Sequence, residues 1–134
     1  MILPLKRYAQ FSGRSGRREF WFYSLFLALG YLLLPILISV VLAAVPGELG
    51  LAAVSIWILV FFLANIIPGL AVSVRRLHDL GLSGWLLLAA YGAMLILSIF
   101  GWIGYLVVMA LPGQDRDNAY GPVIGQDGVA DVFA

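Results

Sequence analysis

Cysteine is absent, histidine occurs once (His78), and charged residues make up only 11% of the 134 in the chain. Without cysteine there is no disulfide, no thiolate chemistry and no Cys-ligated zinc or iron–sulfur centre, and the redox compartment stays open. One histidine beside few carboxylates makes no typical metal set either, so neither metal nor cofactor is expected. Against this scarcity stands an apolar content of 63%. Soluble domains are about half apolar and a quarter charged. A soluble fold of this size leaves too much surface exposed to hide such a composition. Lipid as the solvent removes the conflict.

Three apolar runs carry the excess, at 20–45, 49–74 and 85–111, and none contains a charge between its ends. Each is roughly 26 residues long, against the ~20 that a helix needs to cross ~30 Å of hydrocarbon. The runs are continuous and not alternating, which excludes barrel strands. The expected fold is therefore all-α, a polytopic membrane helical bundle of about three transmembrane helices in one domain. A basic arm (1–19) precedes it and a polar tail (112–134) follows. The first run is about twice the 7–15 residues of a signal-peptide core and no small-x-small site follows it, so it is expected to remain as a span.

The basic residues set an orientation. Lys6, Arg7, Arg14, Arg17 and Arg18 precede the first run, Arg75 and Arg76 follow the second, and Arg116 lies among the tail aspartates. With the N-terminus in the cytoplasm and three crossings, seven of the eight basic residues fall inside. The third run leaves two topologies open. As one helix it places Trp85 and Trp102 ~26 Å apart, a spacing suited to anchors at opposite interfaces, and this single crossing is the preferred reading. Gly92, Gly101 and Gly104 also allow a re-entrant hairpin that returns the tail to the cytoplasm. Trp21 is the expected anchor of the first helix.

Within the spans, Asn65 is the only side-chain amide, and Pro68 follows three residues later. Proline frees the carbonyl of Ala64. This pair reads either as an interhelical hydrogen bond or as a helix break lining a substrate path. The second reading makes the chain an oligomeric transporter or channel subunit. A coupled pump normally needs an intramembrane carboxylate or histidine, and the spans have none.

Two motifs flank the helices on the inner side, Phe11-Ser-Gly-Arg-Ser-Gly-Arg-Arg-Glu-Phe-Trp21 and Arg75-Arg-Leu-His-Asp-Leu-Gly-Leu-Ser-Gly-Trp85. At i, i+4 spacing Arg75 is expected to pair with Asp79 beside His78. Gly81 is expected to end the helix, with Ser83 and Ser15 capping the next and the first. Arg14, Arg17, Arg18, Arg75 and Arg76 converge on one membrane face. Arginine matches phosphate bidentately, so these five are the candidate site for anionic lipid headgroups, with topology and structural pairing (His78, Asp79, Ser83) as the competing reading. A Ser83–His78–Asp79 triad is too crowded in sequence to be expected, and the chain is not expected to be an enzyme. The basic residues are too few and too close to the bilayer for nucleic acid. A partner membrane protein is the alternative occupant of the arginine face, and a homo-oligomer is a further possible assembly.

The two motifs resemble those of the domain of unknown function 805 family, and so does the ending Leu-Pro-Gly followed by Asn118-Ala-Tyr-Gly-Pro122. The resemblance covers nearly the whole chain in order and spacing. It implies a three-to-four-helix protein of the bacterial inner membrane, without an established activity. The family pattern usually has arginine where this chain has Ala119, so any contact made by that arginine is missing here. The resemblance also sets a test: the tail motif joins the other two only if the third run is re-entrant.

Overall fold

The three apolar runs reappear as helices, but not as three. The computed structural model describes residues 7–43 and 47–124; Lys6, Pro46, Asp127 and Asp131 lie outside them. Among the described residues there are four helices, α1 (Arg17–Val41), α2 (Gly47–Asp79), α3 (Leu86–Leu97) and α4 (Ile99–Ala110), and no strand. At 1.5 Å per residue α1 and α2 are roughly 37 and 50 Å long, enough to cross ~30 Å of hydrocarbon. Hardly any of the most apolar stretch of either is buried within the protein. Leu32, Ile36, Val40, Leu51 and Ile56 all stand exposed. A core helix of a soluble protein would be covered; helices apolar on every side and uncovered belong in lipid. The chain is a helical membrane bundle.

α1 packs along α2. The ring of Phe61 fills the space over Gly30, and Trp57 Nε1 donates to the Gly30 carbonyl at 3.2 Å. Nearer the end that carries the charged motifs, the Tyr23 hydroxyl donates to Asn65 Oδ1 at 3.0 Å, while Asn65 Nδ2 donates to the Phe61 carbonyl at 2.8 Å. Asn65 is thus an interhelical tie. The alternative reading, a helix break at Asn65 and Pro68, is not the one seen, for α2 runs unbroken through both. The reason lies in the arm: the Ala64 carbonyl that Pro68 deprives of its donor accepts the Tyr8 hydroxyl at 2.8 Å.

The third run departs most from expectation. It is not one helix over 85–111 but two of 12 residues each, joined at Ser98. Ser98 has φ 50°, the one positive φ outside glycine among the described residues. The two arms fold back on each other, with Gly101 against the backbone of Ala93 and Met94. Each arm is ~18 Å long and cannot cross ~30 Å. Trp85 and Trp102 therefore do not mark opposite ends of one helix, since Trp102 sits early on the returning arm. The turn is wholly apolar around Ser98, and Leu95, Ile96 and Phe100 there are among the most exposed side chains of the molecule. A hairpin tip of that composition faces lipid, not water.

All four helices contribute to one core: Phe20 and Tyr23, Val72 and Leu77, Leu87, and Met109. It lies beside the last turn of α2, where the charged motifs meet.

Candidate functional site

α2 is longer than its apolar span, and its surplus carries the charge. Beyond Val74 the last turn presents Arg75, Arg76, His78 and Asp79. It ends in a Schellman motif: Leu82 N–H donates to Leu77 O at 2.9 Å and Gly81 N–H to His78 O at 3.0 Å, with Gly81 at φ 75°. The expected role of Gly81 is the observed one. Ser83 accepts the Trp85 N–H at a long 3.4 Å. Ser15 is no cap: α1 starts after Gly16 without a side-chain cap, and Ser15 is buried, with its N–H donating to the Arg75 carbonyl at 3.0 Å.

Three arginines from two motifs are buried together. Arg75 and Arg76 are 0% exposed and Arg14 is 7% exposed. Such charges persist only when paired and well hydrogen-bonded, and of these guanidinium nitrogens only Arg75 Nε lacks a partner among the described residues. Arg14 Nε donates to Asp79 Oδ1 at 2.9 Å, and its two terminal nitrogens donate to the carbonyls of Gln114, Arg116 and Pro122. Arg76 donates to the other carboxylate oxygen of Asp79 and to the carbonyls of Met109 and Leu111. Those two carbonyls belong to the end of α4, where helical partners run out, so Arg76 caps that helix. Arg75 donates to Glu19 Oε1 at 2.9 Å, to Gln10 O at 2.7 Å and to Arg7 O at 3.3 Å.

The expected pair Arg75–Asp79 is therefore corrected. Both i+3 and i+4 partners were within reach on the helix, and Glu19 at the start of α1 takes Arg75, leaving Asp79 to Arg76 and Arg14. Both α2 arginines lie beyond the apolar span. Burial pulls each guanidinium below its ordinary value, and the neighbouring carboxylate, Glu19 or Asp79, opposes that pull. The planar five-donor fork lets one side chain serve a carboxylate and two carbonyls at once from separate nitrogens.

The tail closes the cluster. Gln114 N–H donates to the Asp79 carbonyl at 2.9 Å, and Asn118 Nδ2 to the His78 carbonyl at 2.9 Å. His78 and Tyr120 stack face to face, with centroids 3.9 Å apart and planes 2° from parallel. His78 Nδ1 lies 3.2 Å from the Gly13 carbonyl, which can only accept, so the proton is on Nδ1. Gly113 passes so close to the Asp79 carboxylate that any side chain there would overlap it. The three motifs form one knot at one end of the bundle, and the tail stands at the same end as the N-terminal arm.

This redistributes the sequence-derived residues. Of the five candidate headgroup arginines, Arg14, Arg75 and Arg76 are internal and already engaged. Arg17 and Arg18 remain exposed, and neither has an ion-pair partner among the described residues. Next to them Trp21 and Phe22 are exposed, as is Trp85 across the knot. His78 and Ser83 border a cavity of about 540 Å³, but Ser83, His78 and the Asp79 carboxylate do not bond one another, and Asp79 is committed to arginine. No group of three His, Asp or Glu side chains fit to hold a metal occurs among the described residues. Ala119 is exposed, and Asp79 has two arginine partners without the family's usual one.

The family model described as "Protein of unknown function (DUF805)" matches residues 8–122, a range that contains all three motifs of the knot. The chain belongs to the DUF805 family. Its relatives include Inner membrane protein YhaI of Escherichia coli (strain K12), 32% identical over 117 residues and covering 87% of each chain. Inner membrane protein YhaH of the same organism is 30% identical over 118 residues, 88% of this chain and 89% of the relative. No solved structure matches. For this DUF805 member the knot gives a geometric reason why the three motifs occur together. Sequence reasoning missed Glu19 as the partner of Arg75, Tyr8 as the donor to Ala64, and the backbone carbonyls that take most of the guanidinium donors. Only Glu19 left a readable signal, as the one acidic residue of the first motif.

Proposed function

We propose that this DUF805 protein is a multi-pass, non-enzymatic module of the bacterial inner membrane that engages anionic phospholipid headgroups through Arg17 and Arg18, with both its arm and its tail in the cytoplasm. Two full spans and a half-membrane hairpin put all eight Lys and Arg residues on one side, one more than three crossings allow. Inner-membrane residence also fits the names of the two relatives. The observation that carries the lipid reading is the division among the arginines. Three are consumed by the knot, whereas Arg17 and Arg18 project from the start of α1 beside exposed Trp21 and Phe22. Exposed arginine next to interfacial aromatics is the arrangement that meets headgroup phosphates. The knot is then the frame that holds the pair at the membrane surface.

Native mass spectrometry of the detergent-purified protein titrated with phosphatidylglycerol tests this. At ~1 kcal/mol per arginine, Arg17→Gln with Arg18→Gln should weaken binding by roughly thirtyfold. Equal binding by the wild type and the double variant contradicts the reading.

A further inference from the structure

The short hairpin leaves a gap beside the two long helices. Where α3 and α4 lie against α1 and α2 there is a cleft with two lobes of about 420 and 430 Å³. Leu27, Tyr31, Gly69, Tyr91 and Trp102 line both lobes, so the two are confluent. Each is in the size range of small-molecule sites. No Asp, Glu, Lys, Arg or His lines either lobe.

Most polar groups in the walls are engaged. Tyr23 holds Asn65, Tyr105 is hydrogen-bonded to Ser73, and Ser24 donates to the Phe20 carbonyl. Three are not. The Tyr31 and Tyr91 hydroxyls and the Trp102 indole N–H make no hydrogen bond among the described residues, although they come from three different helices and share one cleft. Tyr91 lies ~8 Å and Trp102 ~12 Å along their arms from the knot end, below the headgroups. At that depth no water takes up a donor, and a polar group without a partner is costly.

We infer that this cleft binds a neutral, lipid-soluble ligand carrying carbonyl oxygens on a planar ring, the chemistry of an isoprenoid quinone. The indole N–H can only donate and the two hydroxyls donate readily, so the complement is a set of acceptors. Walls without charge select a neutral molecule. Tyr31, Tyr91 and Trp102 offer flat faces to a ring. Trp102 is half exposed and opens the cleft sideways to lipid, which gives an apolar tail an exit. A phospholipid fits less well: its ester carbonyls could accept these bonds, but its charged headgroup has no counterpart in the uncharged walls and it has no planar ring for the three aromatic faces. A helix of a second copy offers few acceptors, because its backbone carbonyls are already bonded within the helix. The proposal is one of binding only and is independent of the lipid reading of Arg17 and Arg18.

The test is titration of the full chain, in phosphatidylcholine nanodiscs, with decylubiquinone, read by quenching of tryptophan fluorescence. Quenching should saturate at one quinone per chain. Trp102→Phe should remove most of the saturable component, which the other tryptophans, Trp21, Trp57 and Trp85, do not supply. Tyr31→Phe with Tyr91→Phe should shift the midpoint on the order of tenfold, and each single variant by less. Should the tyrosine variants fail to fold, the wild type alone decides: a second quinone displaces the first, whereas phosphatidylglycerol does not. Quenching that rises linearly without saturation, that is the same in a folded double tyrosine variant, or that phosphatidylglycerol reverses overturns the inference.

Discussion

The two ends of this bundle are built on opposite principles. At the knot end, three buried guanidiniums, two carboxylates and a series of backbone carbonyls are fitted donor to acceptor, with only Arg75 Nε and the Ser15 hydroxyl left over among the described residues, and even a glycine is fixed by its contact with Asp79. Away from the knot, α1 and α2 meet at mid-length through contacts such as Phe61 on Gly30, and most of their side chains stand open. The difference follows from the solvent. In lipid, apolar contact between helices gains little over contact with acyl chains, so the halves away from the knot need only be apolar. At the interface a buried charge without its partners is strongly unfavourable, so the motif residues are tied to one another and cannot drift singly. This is why the specific sequence patterns cluster at one end, while the spans read as interchangeable Leu, Ile, Val and Phe.

The comparison can be broken hardest at Asp79. It serves both Arg14 and Arg76, so Asp79→Ala leaves two buried guanidiniums short of their anion and should cost about 3–5 kcal/mol, read as a lost or strongly lowered melting transition in detergent. Gly113→Ala forces a methyl against the same carboxylate and should cost about 1–3 kcal/mol in the same assay. At mid-membrane, Asn65→Leu removes a single interhelical tie and should cost ~1 kcal/mol. A larger loss at Asn65 than at Asp79 would invert the contrast between the ends. Arg17→Gln with Arg18→Gln should stay within about 0.5 kcal/mol, since both are exposed and neither makes an ion pair among the described residues.

Much of this was legible in the sequence, and the failures are instructive. The apolar runs located α1 and α2 to within a few residues, because a helix that must satisfy its own backbone in lipid has few other ways to read. The helix end at Gly81 was legible because a Schellman turn needs a residue that accepts positive φ. The turn at Ser98 was not. It carries no Gly, Pro, Asn or Asp, and hydropathy cannot see a reversal that stays within hydrocarbon. Gly101, suspected as a bend, instead makes the close contact that lets the returning arm pack. The partner of Arg75 was illegible for another reason: i+3 and i+4 are equally near on a helix, and the choice was made by Glu19, 56 residues away. The tail was recognisable as a family motif, but its place beside Asp79 depended on the unseen reversal.

That reversal is the central claim, and the side of the membrane on which the chain ends tests it most directly. Paired fusions of alkaline phosphatase and green fluorescent protein at Ala134, expressed in bacteria, report that side. A re-entrant third segment with a three-motif knot predicts a fluorescent, phosphatase-inactive C-terminus in the cytoplasm, alongside the arm. An active phosphatase and a dark fluorescent fusion would place the tail outside, separate it from Arg14 and Asp79, and contradict the account.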